Sequence, residues 1–269
     1  MNRPIGIFDS GVGGLTVFRE VVNHLPHEDL IYFGDTARLP YGSKSPEAII
    51  RYSLECATFL LEQNIKLLIV ACHTASAHAL EILQEKLPIP VIGVIQPGFE
   101  LLMQSTRSQR IAILGTESTI ASGVYQNLIR QHYPMASIFA VPCPLFVPLA
   151  EERFFDHAAA DLIAAHYLDP LKEANIDAAL LACTHYPLLK RSIHKALGPS
   201  VKILESAFTC AEQAQAVLCL NHTLNPQEIK PAYRFYATDH PIRFSTLAKT
   251  FLGYEIHLTL IELEKNKKV

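Results

Sequence analysis

Short apolar runs alternate with longer helical patterns along this chain, and this alternation limits its possible folds more than any other feature. Runs such as Leu30–Gly34 and Asp177–Ala182 are apolar at nearly every position. A strand with one face in water would instead alternate apolar and polar residues. Continuous apolar strands with helices between them are typical of parallel sheets covered on both faces. We therefore predict an α/β protein built on parallel sheets.

The same patterns predict eight strands in the main body of the chain, a late pair of strands and four long helices. The strands are Ile5–Asp9, Leu30–Gly34, Lys66–Ala71, Pro90–Ile95, Arg110–Leu114, Ser137–Val141, Asp177–Ala182 and Val201–Glu205, followed by Tyr233–Thr238 and Glu255–Glu262, and the helices are Pro46–Gln63, Ala75–Lys86, Ser118–His132 and His157–Ala174. A chain of 269 residues, at about 150 residues per domain, suggests two domains.

A weak internal repeat relates the two halves of the chain. Leu67–Ala75 and Ala178–Tyr186 each contain an apolar strand that ends in Ala-Cys and is followed by Thr and His. The cysteines, Cys72 and Cys183, thus lie at the carboxyl ends of predicted parallel strands. Open α/β sheets build their ligand crevices at that edge.

The repeat predicts two pseudo-symmetric α/β/α sandwich domains with the active site in the cleft between them. We place the first domain at residues 1–96 and 207–269 and the second at residues 97–206.

Composition narrows the class of protein. The mean hydropathy is +0.19 and the net charge is −3, which excludes intrinsic disorder. The sequence has no basic stripe of the kind that would indicate a nucleic-acid partner. The apolar stretches are broken before the roughly 18 residues of a membrane span. With six cysteines and no visible secretory leader, we expect a cytoplasmic enzyme.

Two loops follow predicted strands directly. In Asp9–Leu15, the glycines could allow positive φ and close backbone approach, which would leave backbone N–H groups to hold an anion. Alternatively, the segment could be a helix start capped by Asp9 or Ser10. In Gly34–Gly42, a Pro-Tyr-Gly turn could direct N–H groups and a phenol at a ligand, or the loop could be a plain connection in which Arg38 is solvated or paired with Asp35.

The paired thiols allow three chemistries. A disulfide is disfavoured because the chain has neither a Cys-x-x-Cys motif nor a secreted framework. A zinc site from Cys72, His73, Cys183 and His185 has a known ligand set, but adjacent side chains diverge at a strand end. The third is two-base proton transfer at a carbon stereocentre, with one thiol on each face.

In that third case Asp9 and His185 could serve as proton acceptors for the two thiols. The remaining cysteines are expected to be inert buried side chains: Cys56, Cys143, Cys210 and Cys219.

Taken together, the motifs resemble those of the glutamate racemases, in the cofactor-independent aspartate/glutamate racemase superfamily. The similarity covers essentially the whole chain. It comprises Asp9-Ser-Gly-Val-Gly-Gly, Gly34-Asp-Thr-Ala-Arg-Leu-Pro-Tyr-Gly42, Ala71-Cys-His-Thr-Ala-Ser76, Leu114-Gly-Thr-Glu-Ser-Thr119 with Ser122 and Tyr125, Phe146-Val-Pro-Leu149 with Glu151, and Cys183-Thr-His-Tyr-Pro-Leu-Leu189.

The resemblance implies interconversion of L- and D-glutamate, which supplies D-glutamate for peptidoglycan, without a metal or other cofactor. It also implies that Cys72, assisted by Asp9, takes the α-proton of D-glutamate, and that Cys183, assisted by His185, takes that of L-glutamate. The implied substrate-binding set is Asp9, Ser10, Pro40, Tyr41, Gly42, His73, Thr74, Thr116, Thr119, Glu151, Thr184 and His185. The implied partners are a second copy in a homodimer and a peptidoglycan precursor that regulates activity.

The chain departs from the family pattern at four positions: His73 replaces the usual Asn, Ala182 and Arg153 replace Gly, and Glu205 replaces Asp. His73 adds a larger ring beside Cys72. Two alternatives follow from it: a racemase for another amino acid, or a racemase fold that binds its ligand without turnover.

Overall fold

The structure, a computed structural model, describes residues 3–226 and 230–263. It divides into two compact units, one formed by Met1–Val94 with Ala207–Val269 and the other by Ile95–Ser206.

The described residues form ten strands and eleven α-helices. The strands are β1 (Ile5–Asp9), β2 (Leu30–Gly34), β3 (Leu67–Val70), β4 (Val91–Gly93), β5 (Arg110–Gly115), β6 (Ser137–Pro142), β7 (Ala178–Ala182), β8 (Lys202–Glu205), β9 (Tyr233–Ala237) and β10 (Leu258–Leu260). The helices are α1 (Leu15–His24), α2 (Pro46–Glu62), α3 (His73–Lys86), α4 (Ile95–Ser105), α5 (Glu117–Ala121), α6 (Val124–His132), α7 (Phe146–Glu151), α8 (Ala158–Leu168), α9 (Lys190–Leu197), α10 (Ala207–Leu220) and α11 (Pro241–Leu252).

Every strand pairing is parallel, as predicted. The first unit has a six-stranded sheet in the order β10-β9-β2-β1-β3-β4, so the late pair of strands joins this sheet. The second unit has a four-stranded sheet in the order β6-β5-β7-β8.

Helices cover both faces of the first sheet. On one face, Phe8, Phe33 and Val70 pack in a cluster with residues of α2 and α3. On the other face, Tyr32 and Phe235 contact Phe18 of α1, with ring centroids 6.1 and 5.0 Å apart. Burial on both faces explains why the central strands are apolar throughout.

The second sheet is covered in the same way. Leu114 and Leu181 pack with α8 and α9, whereas Ile113 and Leu180 pack with α4 and α6. Each unit is therefore an α/β/α sandwich, which confirms the predicted fold class. Among the described residues, no helix combines the length and the apolar character needed to span a membrane.

Two long helices were predicted wrongly as single pieces. The segment Ser118–His132 divides into α5 and α6 because Gly123 adopts φ +69°, outside the helical region. The segment His157–Ala174 leaves the α-helical path after Leu168 and continues as a 3-10 helix with a proline in its first turn.

The strand registers place the predicted loops at the carboxyl edge of each sheet. Asp9 pairs with Gly34, and Phe8 pairs with Val70, two residues before Cys72. In the second sheet Gly115 pairs with Ala182, immediately before Cys183. Each unit therefore presents one thiol at the end of a central strand.

Candidate active site

Cys72 lies where β3 passes into α3. It is the N-cap residue of the helix, and its carbonyl accepts a hydrogen bond from the Ser76 N–H at 2.8 Å. The thiol is buried and donates to the Ser10 hydroxyl, with the two atoms 3.7 Å apart. The ends of β1 and β3 thus bring Ser10 and Cys72 together.

Asp9 ends β1, and its carboxylate is fully buried. Its Oδ2 accepts from the Gly11 N–H at 2.9 Å, and the Gly11 carbonyl accepts from the Tyr32 hydroxyl at 2.8 Å. Burial, followed by the charges of Asp9 and Cys72, raises the pKa of Tyr32 well above its usual value. Tyr32 therefore remains a neutral donor that holds the loop.

The glycine loop shows the close backbone approach that its sequence predicts, but neither positive φ at its glycines nor a side-chain helix cap. The described glycines with positive φ are Gly123, Gly198 and Gly253, so this loop does not use that freedom. The N-cap of α1 is Gly14, without a side-chain cap. A Cβ at Gly14 would lie 2.6 Å from Cβ of Asp9 and 2.9 Å from the Tyr32 hydroxyl. Glycine is required there because the helix starts directly against Asp9.

In the Gly34–Gly42 loop, the phenol of Tyr41 does not point out as a ligand donor. Its hydroxyl donates to Oδ2 of the buried Asp35 at 2.5 Å. Arg38 pairs with the same oxygen at 2.6 Å, so the pairing alternative for Arg38 is confirmed. Pro40 is exposed and Gly42 is half-buried.

His73 and Thr74 form the first turn of α3, and both are buried. Burial lowers the pKa of His73 to about 3. The imidazole beside Cys72 is therefore uncharged at neutral pH.

Cys183 follows β7 and is also buried. The chain then turns through Thr184 and His185 into a 3-10 helix, Tyr186–Leu189. The His185 ring hydrogen-bonds to Cys183, and its Nε2 lies 3.2 Å from Oε1 of Glu151 at the end of α7. Burial alone would lower the pKa of His185, but the bonds and charges of Cys183 and Glu151 raise it to about 10. His185 is thus an imidazolium at neutral pH.

The remaining predicted residues of the second unit follow the ends of β5 and β7. Thr116 caps α5: its Oγ1 accepts from the Thr119 N–H at 3.2 Å and lies 2.9 Å from the Thr119 hydroxyl. Thr116, Thr119 and Thr184 are buried.

Sequence reasoning missed two neighbours of the residues described above. Cys143 is buried in the same cluster as Cys183, and burial, followed by the charge of Cys183, raises its pKa above the usual range. Glu55 pairs with Arg38 from α2. Neither contact has a local sequence signal, because the partners lie far apart along the chain.

All six cysteines are free thiols. Cys56, Cys143 and Cys210 are buried as predicted, but the prediction was wrong for Cys219, which is exposed near the end of α10. Within residues 3–226 and 230–263, no group of three or more His, Cys, Asp and Glu side chains could hold a metal ion.

Comparison with known proteins gives consistent matches. The family model described as Asp/Glu/Hydantoin racemase matches residues 5–214. The glutamate racemase of Geobacter metallireducens is 48% identical over 266 residues, 98% of each chain.

Two solved structures extend this comparison. The crystal structure of glutamate racemase from Francisella tularensis, in complex with D-glutamate, matches with a TM-score of 0.91 and 40% identity over 98% of each chain. That of Escherichia coli glutamate racemase, in complex with L-glutamate and the activator UDP-MurNAc-Ala, matches with a TM-score of 0.77 and 27% identity, covering 93% of this chain and 95% of that one. The chain is therefore an isomerase that belongs to the Asp/Glu/Hydantoin racemase family.

Proposed function

We propose that the protein interconverts L- and D-glutamate, with Cys72 and Cys183 as its two acid/base groups. The observation that carries the proposal is one buried thiol at the carboxyl end of a central strand in each unit. Relatives named glutamate racemase, such as one that is 48% identical over nearly the full chain, support glutamate as the substrate.

Inversion at a carbon requires removal of a proton from one face and delivery of a proton to the other. In the proposed reaction the Cys72 thiolate takes the α-proton of D-glutamate, and the Cys183 thiol protonates the opposite face of the carbanion. The reverse direction starts with a Cys183 thiolate and L-glutamate. Each turnover exchanges the protonation states of the two sulfurs, and the substrate is neither oxidised nor reduced.

The two thiols have different assistants in this proposal. Asp9 assists Cys72 from the neighbouring strand end, β1. The His185 imidazolium gives Cys183 a positive charge and an N–H donor, and cationic neighbours stabilise thiolates. Glu151 holds His185 in that state, which adds a supporting role to its predicted contact with substrate.

The remaining site residues would hold the two carboxylates and the ammonium group of glutamate. They are Ser10, Pro40, Tyr41, Gly42, His73, Thr74, Thr116, Thr119 and Thr184. Hydroxyl and backbone donors fixed where negative charge develops are an effective source of transition-state stabilisation. The proposal assigns no metal and no other cofactor.

The physiological role that we propose is supply of D-glutamate for peptidoglycan in the cytoplasm by a homodimer. The activator bound to the Escherichia coli relative supports a peptidoglycan precursor as a regulator. We propose residues 1–96 with 207–269 as the domain that carries Cys72, and residues 97–206 as the domain that carries Cys183.

A second candidate function rests on His73. This buried, uncharged imidazole next to Cys72 fills more space than the usual Asn of the family and offers different hydrogen bonds. It favours an altered amino-acid substrate, or binding of glutamate without turnover.

Incubation with L-glutamate in D₂O tests the proposal. We expect the optical activity to decay to zero while α-deuterium appears in the D-glutamate formed. L-Aspartate and L-alanine, assayed in parallel, test the altered-substrate alternative. Saturable glutamate binding with no deuterium in either enantiomer would overturn the proposal in favour of a binding protein.

A further inference from the structure

We propose that Arg38 is a positioning residue for glutamate binding: it holds the loop Asp35–Gly42 in the shape that receives the substrate, and Glu55 holds Arg38. The inference rests on the proposed function, which assigns Pro40–Gly42 to the substrate site. Arg38 itself has no part in that assignment.

The loop is built around a buried carboxylate. Asp35 is fully buried, and its Oδ2 accepts from both the Tyr41 hydroxyl, at 2.5 Å, and Arg38 Nε, at 2.6 Å. Its Oδ1 accepts from the Thr238 hydroxyl at 3.1 Å. A buried carboxylate is costly unless it is paired and hydrogen-bonded. Arg38 supplies the positive charge that permits Asp35 to organise the loop.

Arg38 reaches Asp35 from a fixed position. Its Nη1 pairs with Glu55 of α2, its Nη2 lies 3.9 Å from the Cys56 sulfur, and its guanidinium carbon lies 4.2 Å from the centre of the Tyr52 ring. The planar guanidinium thus uses its edge for the carboxylates and its face for the ring. A lysine ammonium cannot make this set of contacts from one position.

This network decides which part of Tyr41 is available to a ligand. The hydroxyl donates to Asp35 and lies 3.7 Å from the Cys56 sulfur, and the side chain is buried. Tyr41 therefore contributes to substrate binding through its main chain, whose position depends on Asp35 and hence on Arg38.

Steady-state kinetics of Arg38→Ala and Arg38→Lys test the inference. We expect Arg38→Ala to raise KM for both enantiomers of glutamate at least about 10-fold and to change kcat by a smaller factor, because the thiols remain in place. Arg38→Lys should show most of the same defect. Millimolar guanidinium should restore at least a third of the lost kcat/KM to Arg38→Ala, and equimolar urea should not.

Arg51→Ala is the matched control. Arg51 lies on α2, is exposed, and stacks over the same Tyr52 ring at 5.0 Å. Its removal deletes one positive charge from the same neighbourhood and should leave KM within twofold of wild type.

The outcomes separate this inference from the proposed function. If the wild-type protein does not racemise glutamate, the proposed function fails. If the wild type is active and Arg38→Ala keeps its KM while only its unfolding temperature falls, Arg38 is merely structural and the inference is overturned. Should Arg38→Ala not fold, Glu55→Gln decides: we expect KM to rise about threefold, and an unchanged KM overturns the inference.

Discussion

The two strand ends carry the same residue types, but their histidines differ in charge. Cys72 caps α3, and His73 follows it into the first helical turn, where burial keeps the ring neutral. Cys183 is followed by a 3-10 turn that returns His185 to the sulfur, where Glu151 supports its proton.

The difference shows that the two halves of the chain share a sequence repeat but not the charge of the histidine that follows each cysteine. In the proposed reaction the two thiols exchange roles in each turnover, and different polar groups lie near each of them. The first unit uses a carboxylate, a hydroxyl and a helix start. The second uses an imidazolium and a carboxylate.

Removal of either thiol is expected to have the largest effect on the rate of racemisation. Cys72→Ala and Cys183→Ala should each lower racemisation at least about 1,000-fold, because each face of the α-carbon loses its only proton donor or acceptor. In D₂O the remaining thiol still exchanges the α-proton without inversion. Cys72→Ala should therefore deuterate L-glutamate, and Cys183→Ala should deuterate D-glutamate.

Cys210→Ala, which removes another buried thiol, is the control for these variants and should keep its activity. Deuteration of the same enantiomer by both active-site variants, measured by NMR, would contradict the assignment of one thiol to each face.

Substitutions at His185 and Glu151 are expected to lower activity less. Their effect on the pH profile should appear on its alkaline side. His185→Gln should lower kcat about 100-fold, within the usual range for acid–base groups. Glu151→Gln should lower kcat about 10-fold, and it should lower the pKa of His185 from about 10, because Glu151 is one of the groups that raise it. The alkaline limb of kcat/KM then moves to lower pH.

A pH profile of kcat/KM from pH 6 to 11 measures this shift. His73→Gln provides the contrast, because burial lowers the pKa of His73 to about 3 and that group does not titrate in this range. An alkaline limb that stays in place in Glu151→Gln would show that Glu151 does not support the proton of His185.

The smallest effects concern stability, and the two histidines should act in opposite directions. The pKa of His185 is raised in the folded state to about 10. Its contribution to folding stability is therefore complete below about pH 6.5 and is lost as pH rises through 10. The pKa of His73 is lowered in the folded state to about 3. Its contribution to folding stability is therefore present above about pH 6.5 and is lost as pH falls towards 3.

Thermal unfolding of His185→Asn and His73→Asn between pH 4 and 10 measures both contributions. The gap in unfolding midpoint from wild type should narrow towards pH 10 for His185→Asn and towards pH 4 for His73→Asn. Each kcal/mol corresponds to about 2–4 °C in a chain of this size. Gaps that are parallel at all pH values would contradict the opposite protonation states.

Much of the fold follows from local sequence patterns. The strands β1 and β2 match their predicted bounds because their apolar runs end at polar or glycine residues. The helix breaks at Gly123 and after Leu168 were not predicted. A run of helix-compatible residues does not show at which residue tertiary packing will interrupt the helix. Single glycines and prolines in such runs are ambiguous signals.

The sequence by itself determined the α/β class, the parallel strands and the presence of a thiol at one strand end in each unit, because periodicity and residue order are local properties. The tertiary structure alone decided which histidine carries a proton and which way Tyr41 directs its hydroxyl. Those outcomes depend on the contact of His185 with Glu151 of α7, on the buried carboxylate of Asp35, and on burial, which strengthens every charge interaction by excluding water.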